Sequence, residues 1–139
     1  MTKKLTAIIL SLLIMLSCSA AYADASLDAQ ADKAQVSAGD TVTVTITLKG
    51  DKLAAAEGSF AYDTSLLSFE EAEGGAGDGY ISMVSLSKGG ESSLSARITF
   101  KALAEGNAEV AFSITKILNY SGKELGAAEQ KASVTILPG

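Results

Sequence analysis

The sequence of 139 residues has no histidine, no tryptophan, a single cysteine and a single proline. Each absence removes a class of chemistry. Without imidazole there is no Ser–His or Cys–His nucleophile pair, no histidine general base and no histidine-ligated metal. One cysteine, Cys18, forms neither an internal disulfide nor a thiolate zinc cage. Basic residues are scarce as well. Eleven Lys+Arg stand against 16 Asp+Glu, a net charge of −5 and the wrong sign for a nucleic-acid-binding patch. With 47% hydrophobic and 19% charged residues, the chain has the composition of an ordinary folding sequence, neither disordered nor fibrous. The balance favours a non-catalytic binding module with no metal and no cofactor of its own.

What is present begins with an address. Lys3 and Lys4 precede an apolar run from Leu5 to Leu16, and small residues follow up to Ala21-Tyr22-Ala23. That order is the charged, apolar, small-residue grammar of a secretory signal over residues 1–23. The run has twelve residues, short of the roughly 20 that span a bilayer, so no membrane span is expected. Cleavage after Ala23 releases a secreted, extracellular chain. The alternative is a lipid on Cys18 and a cell-surface lipoprotein, because Met15-Leu16-Ser17-Cys18 resembles a bacterial lipobox, with Met15 where Leu is usual. Either route leaves one folded domain over residues 24–139. Loss of Lys3 and Lys4 leaves nine basic against 16 acidic groups, a net charge of −7.

The mature part repeats a period of two. Thr41–Leu48 alternates so that Val42, Val44, Ile46 and Leu48 share one face and threonines the other, which predicts a strand. Leu27, Ala29 and Ala31 alternate, as do Phe60 with Tyr62, Leu67 with Phe69, Ala96-Ile98-Phe100-Ala102, Val110-Phe112-Ile114 and Val134 with Ile136. Tyr80–Leu86 is also extended, after a glycine-rich loop over residues 74–79. Lys52–Glu57 carries some helix propensity, but Gly58 and the alternation after it favour a strand entry. Turn residues recur at Lys88-Gly89-Gly90-Glu91, Glu105-Gly106-Asn107 and Ser121-Gly122-Lys123. Eight or nine short strands at this spacing predict an all-β fold, a two-sheet antiparallel sandwich or jelly roll.

Three segments in order carry a family resemblance: Gly39-Asp40-Thr41-Val42-Thr43-Val44; Phe60-Ala61-Tyr62-Asp63-Thr64-Ser65-Leu66-Leu67-Ser68-Phe69; and Ala96-Arg97-Ile98-Thr99-Phe100-Lys101 with Gly106 shortly after. Together they resemble a cohesin domain, over about Ala25 to Ile136. The Tyr62-Asp63 element is the most specific part, with Asp63 placed to close a turn through its side chain and Tyr62 and Leu67 to anchor its ends. The resemblance implies the nine-stranded jelly roll that cohesins share with related cellulose-binding modules. It also implies a partner, the dockerin: a small calcium-loaded module of exported, polysaccharide-degrading proteins, held on one flat sheet face, the calcium belonging to the dockerin. Carried onto this chain, the contact positions are Ala55, Glu57, Val84, Leu86, Ser87 and Lys88. Ala55 departs from the Asn or Asp of many cohesins and removes a hydrogen-bonding group.

The residues themselves bear on that face. With Phe60 and Tyr62 inward, Ala55, Glu57, Ser59 and Ala61 form a small outward strip. On Tyr80–Leu86, one register buries Ile81 and Met83 and exposes Val84 and Leu86; the opposite register puts Val84 and Leu86 in the core, and alternation alone leaves both open. Rival readings rest on fewer residues. Carbohydrate binding needs exposed aromatics, and only Tyr80 and Tyr120 offer a platform, against a reading of both as edge or sheet-capping aromatics. Catalysis would need Glu70, Glu71, Glu73 and Asp78 to act as paired carboxylates. Alternation sets Glu71 and Glu73 on one face and Glu70 on the other, which suits a solvated edge better. The same group lacks the spacing of a calcium loop. Arg97 reads as one member of a surface ion pair or as an anchor for a partner's carboxylate. A purely structural surface subunit remains the third alternative.

Overall fold

The strand that opens with the alternation of Thr41–Leu48 continues well past Leu48 and is the longest of the fold. The computed structural model describes residues 25–139; the signal segment, Cys18 and the cleavage point after Ala23 lie outside the described residues. Nine strands follow in order: β1 (Ala25–Ala31), β2 (Gln35–Ser37), β3 (Thr41–Tyr62), β4 (Leu67–Glu73), β5 (Ala76–Gly77), β6 (Tyr80–Val84), β7 (Glu91–Ala102), β8 (Gly106–Asn119) and β9 (Ala128–Leu137). The described residues contain no helix, and Lys52–Glu57 lies within β3.

β3 serves two layers. Its first part, Thr41–Lys49, pairs with β1 on one side and β7 on the other. Its second part, Leu53–Tyr62, pairs with β6 and β8. Between them the register slips at Gly50–Lys52, and Lys52 takes a left-handed φ of 52°. One layer is therefore β1–β3–β7–β4 and the other β5–β6–β3–β8–β9–β2. Leu53, fully buried, sits at the junction and faces Glu91 of β7 and Asn119 of β8. All pairings are antiparallel except β2 with β9, which is parallel. That one pair departs from the antiparallel expectation. The crossover from β1 to β3 brings Gln35–Ser37 alongside the last strand in the same direction as it.

The inner faces meet as alternation predicts. Val42, Val44, Ile46 and Leu48 are buried against Ile98, Phe100, Val110, Phe112 and Ile114. An aromatic cluster ties the layers together: the Phe60 ring lies 6.0 Å from Phe100 and 5.6 Å from Phe112, and Tyr62 meets Phe100 edge-on at 4.9 Å. The two edge-to-face pairs, Phe60 with Phe100 and Tyr62 with Phe100, add to area burial by about 1 kcal/mol each.

The Tyr62-Asp63 turn is built as the motif suggests, with one addition. Asp63 Oδ1 accepts hydrogen bonds from the Ser65 amide (2.9 Å) and hydroxyl (2.6 Å), and the Asp63 carbonyl accepts from the Leu66 and Leu67 amides. The Ser65 hydroxyl and then its amide hold the Asp63 carboxyl below its ordinary value. The addition is Asp78, in the glycine-rich loop, whose carboxylate accepts a 2.8 Å hydrogen bond from the Tyr62 hydroxyl. Part of that loop is also strand, since Ala76–Gly77 forms β5 against β6.

Candidate functional site

The six positions implied by the resemblance lie on or beside the outer face of the second layer. Ala55 stands directly opposite Val84, and Glu57 opposite Ser82. Leu86, Ser87 and Lys88 follow β6 into the loop that returns to β7. The pairing Ala56↔Met83 and Gly58↔Ile81 settles the register of β6. Ile81 and Met83 are buried, whereas Val84 is 62% and Leu86 97% exposed. The structure thus brings Ala55, Glu57 and Val84 together on one flat surface and sets Leu86, Ser87 and Lys88 at its rim.

Two neighbours on β8 complete the surface and were not legible in the sequence. Leu118 stands opposite Ala55, and Lys116 opposite Glu57. Alternation from Val110 through Phe112 to Ile114 would bury Lys116 and Leu118. A bulge at Thr115 inserts one residue, so that Ile117 is buried and Lys116 and Leu118 turn outward. Gly58 permits the bulge: a Cβ there would fall 2.2 Å from the Ser113 carbonyl oxygen. The available signal was the three-residue spacing between Ile114 and Ile117. Val84, Ala55 and Leu118 therefore form an apolar rib across three adjacent strands, about 10 Å wide at the usual strand spacing. A row of Ser82, Glu57 and Lys116 lies beside it.

The rim loop is held firmly. Ser85 donates its amide to the Ala54 carbonyl at 2.8 Å, and the Gly90 amide closes a turn onto the Ser87 carbonyl at 3.2 Å. Gly90, at φ 89°, presses on the corner of β3, where a Cβ would meet the Lys52 backbone at 2.5 Å. The Lys52 carbonyl accepts the Tyr120 amide at 2.9 Å from the other side.

The rival sites come apart in the same geometry. Tyr80 stands opposite Ser59 with its ring against Gly77, and Tyr120 bonds to Lys52 at the corner. Seven residues of strand separate those two rungs, on the order of 20 Å, so the tyrosines do not form one platform. Glu71 and Glu73 face Thr99 and Arg97, and Glu70 is the extra residue of a bulge in β4, exposed rather than turned inward. Glu73 pairs with Arg97 at 3.4 Å on the exposed face of the first layer, which accounts for Arg97 as a surface ion pair. Asp78 is engaged with Tyr62 instead of joining the glutamates. Among the described residues, no group of three metal-ligating side chains comes together, and no helix is long and apolar enough to cross a membrane.

No family model matches the sequence, and no curated protein does. Solved structures do match. A cohesin module from a family 33 glycoside hydrolase of Clostridium perfringens aligns at 12% identity over 84% of this chain and 97% of that one, with a TM-score of 0.63. The seventh ScaB type I cohesin of Pseudobacteroides cellulosolvens aligns at 18% identity over 81% and 93%, with a TM-score of 0.60. A chain from a cohesin–dockerin complex aligns at 14% identity over 77% and 99%, with a TM-score of 0.57. Likeness at these identities is a likeness of fold: residues 25–139 form a cohesin-like jelly-roll sandwich.

Proposed function

We propose that this chain is an exported, non-catalytic binding module that docks dockerin-type modules of other exported, polysaccharide-degrading proteins on the outer face of its second layer. The observation that carries the reading is the apolar rib of Val84, Ala55 and Leu118 with Leu86 standing almost wholly in solvent at its rim, on a cohesin-like fold. Large aliphatic side chains left adjacent and exposed on a flat sheet mark a protein contact. Glu57, Ser87 and Lys88 supply the polar margin that such an apolar centre needs. Docking on this face needs surface complementarity and no bond-making group, which suits a sequence without histidine. Carbohydrate binding is the weaker reading, because its two aromatics stand apart.

The chain reaches its partner outside the cell by one of two routes: release after Ala23, or tethering through a lipid on Cys18. Intact mass of the protein purified from its producing cells decides between them. A mass starting at Asp24 without added lipid assigns release.

Immobilised protein passed through culture supernatant tests the function. Dockerin-bearing proteins should be retained, and the double variant Glu57→Arg, Leu86→Asp should lose them while keeping its thermal midpoint. Unchanged retention by that variant would place the docking face elsewhere. Retention only of further copies of the same chain would make the protein a structural subunit.

A further inference from the structure

Ser85 is anomalous. It lies one residue past β6 and continues the inward phase of Ile81 and Met83, is 5% exposed, and is one of two polar residues buried among the described residues. An aliphatic residue would fill such a position without any polar group to satisfy. Its hydroxyl is used: Ser85 Oγ accepts the Ser87 amide at 3.2 Å and donates to the Ser87 carbonyl at 3.3 Å. Ser87 also receives the Gly90 amide on the same carbonyl. Leu86 is thereby clamped between a residue whose backbone is bonded to β3 and a residue bonded back to the core hydroxyl.

We propose that Ser85 is a positioning residue for docking: its buried hydroxyl holds the Leu86–Lys88 segment upright and so keeps Leu86 presented to a partner. The inference rests on the docking reading above. An exposed leucine on a slack loop would collapse onto the neighbouring Val84 and Leu118 rib, and binding would first have to order it again. The clamp removes that cost before the partner arrives. Ser85 touches no partner itself and acts through Ser87 and Leu86.

The test compares Ser85→Thr with Ser85→Val, which differ by a hydroxyl against a methyl. Ser85→Ala serves if both branched side chains overfill the site. In the unsubstituted protein the Leu86 and Ser87 amides should show rigid-backbone order parameters near 0.85, falling below about 0.6 in Ser85→Val and staying high in Ser85→Thr. Exchange protection of the Ser87 amide should fall about tenfold in Ser85→Val, the loss expected for one hydrogen bond. Retention of dockerin-bearing proteins should fall with it and return in Ser85→Thr, at an unchanged thermal midpoint. Unaltered loop order in Ser85→Val overturns the clamp. A loosened loop with undiminished retention overturns the role in docking and leaves the docking face standing. Failure of the unsubstituted protein to retain any dockerin-bearing protein overturns the docking reading and this role together, while the order parameters still report the clamp.

Discussion

Two ionisable side chains at the Tyr62-Asp63 turn link single residues to the pH range of the fold. Burial, then the hydrogen bond to Asp78 and its negative charge, raise the Tyr62 phenol above its ordinary value of 10.0. A group with a raised folded pKa stabilises fully below its unfolded pKa and loses that contribution as pH rises through the folded value. Stability should therefore decline above about pH 10 as Tyr62 ionises. Tyr62→Phe should cost about 1 kcal/mol at neutral pH, from one lost hydrogen bond, and should blunt the alkaline decline. Asp78→Asn keeps an acceptor and removes the charge, so ultraviolet titration should find the Tyr62 transition at lower pH. Asp63 works in the other direction. Its lowered pKa, set by the Ser65 hydroxyl and amide, gives a contribution present above the ordinary carboxylate range and lost as pH falls through the folded value. Urea midpoints across acid pH should be flatter for Asp63→Asn than for the unsubstituted protein. An equal acid limb in both would assign the dependence to other carboxylates.

At the scale of elements, β3 carries the most risk because its corner belongs to both layers. Leu53 is fully buried there, so Leu53→Ala should cost about 3 kcal/mol, within the usual range for a core leucine with a residual cavity. Val84→Thr and Leu86→Ser, on the outer face of β6 and its rim, should change stability by less than about 0.5 kcal/mol. Urea denaturation of the three variants checks both halves; a large cost at Leu86 would mean that it packs. The same contrast explains what could be read in advance. Thr41–Leu48 was legible because a straight strand with one buried face writes its period into the residues. Tyr80–Leu86 carries aliphatics on both phases, and only the pairing of Met83 with Ala56 chooses between them. Leu118 was hidden by the bulge at Thr115, since one inserted residue exchanges the faces of everything beyond it. β2 and β5, with three and two residues, are too short to show any period, and the parallel pairing of β2 with β9 joins residues about a hundred positions apart. The Tyr62-Asp63 turn was legible as a motif, but Asp78 as the partner of Tyr62 depends on a contact across the glycine-rich loop.

For the molecule as a whole, the shared strand decides how the fold comes apart. Two separate sheets packed face to face could open one after the other. Here the strand in the middle of one layer continues into the middle of the other, and Leu53 at its corner touches both β7 and β8. Pulling β1, β7 and β4 away leaves the inner side chains of β8 and β9 bare, along with the aromatic contacts that Phe100 makes with Phe60 and Tyr62. No cysteine is available within the described residues to hold a half-open state. Most pairings join residues far apart in the chain, so folding should be slow, in the millisecond-to-second range of all-β sandwiches, and the layers should form together. Native-state hydrogen exchange measures this directly. The amides of Val44 and Ile46 in the first layer and of Phe112 and Ile114 in the second should exchange through one opening with the same free energy and the same denaturant slope. A first layer that exchanges at markedly lower free energy would show that the corner at Gly50–Lys52 acts as a hinge. The proposed docking face, on and beside the outer face of the second layer, would then survive local opening of the first.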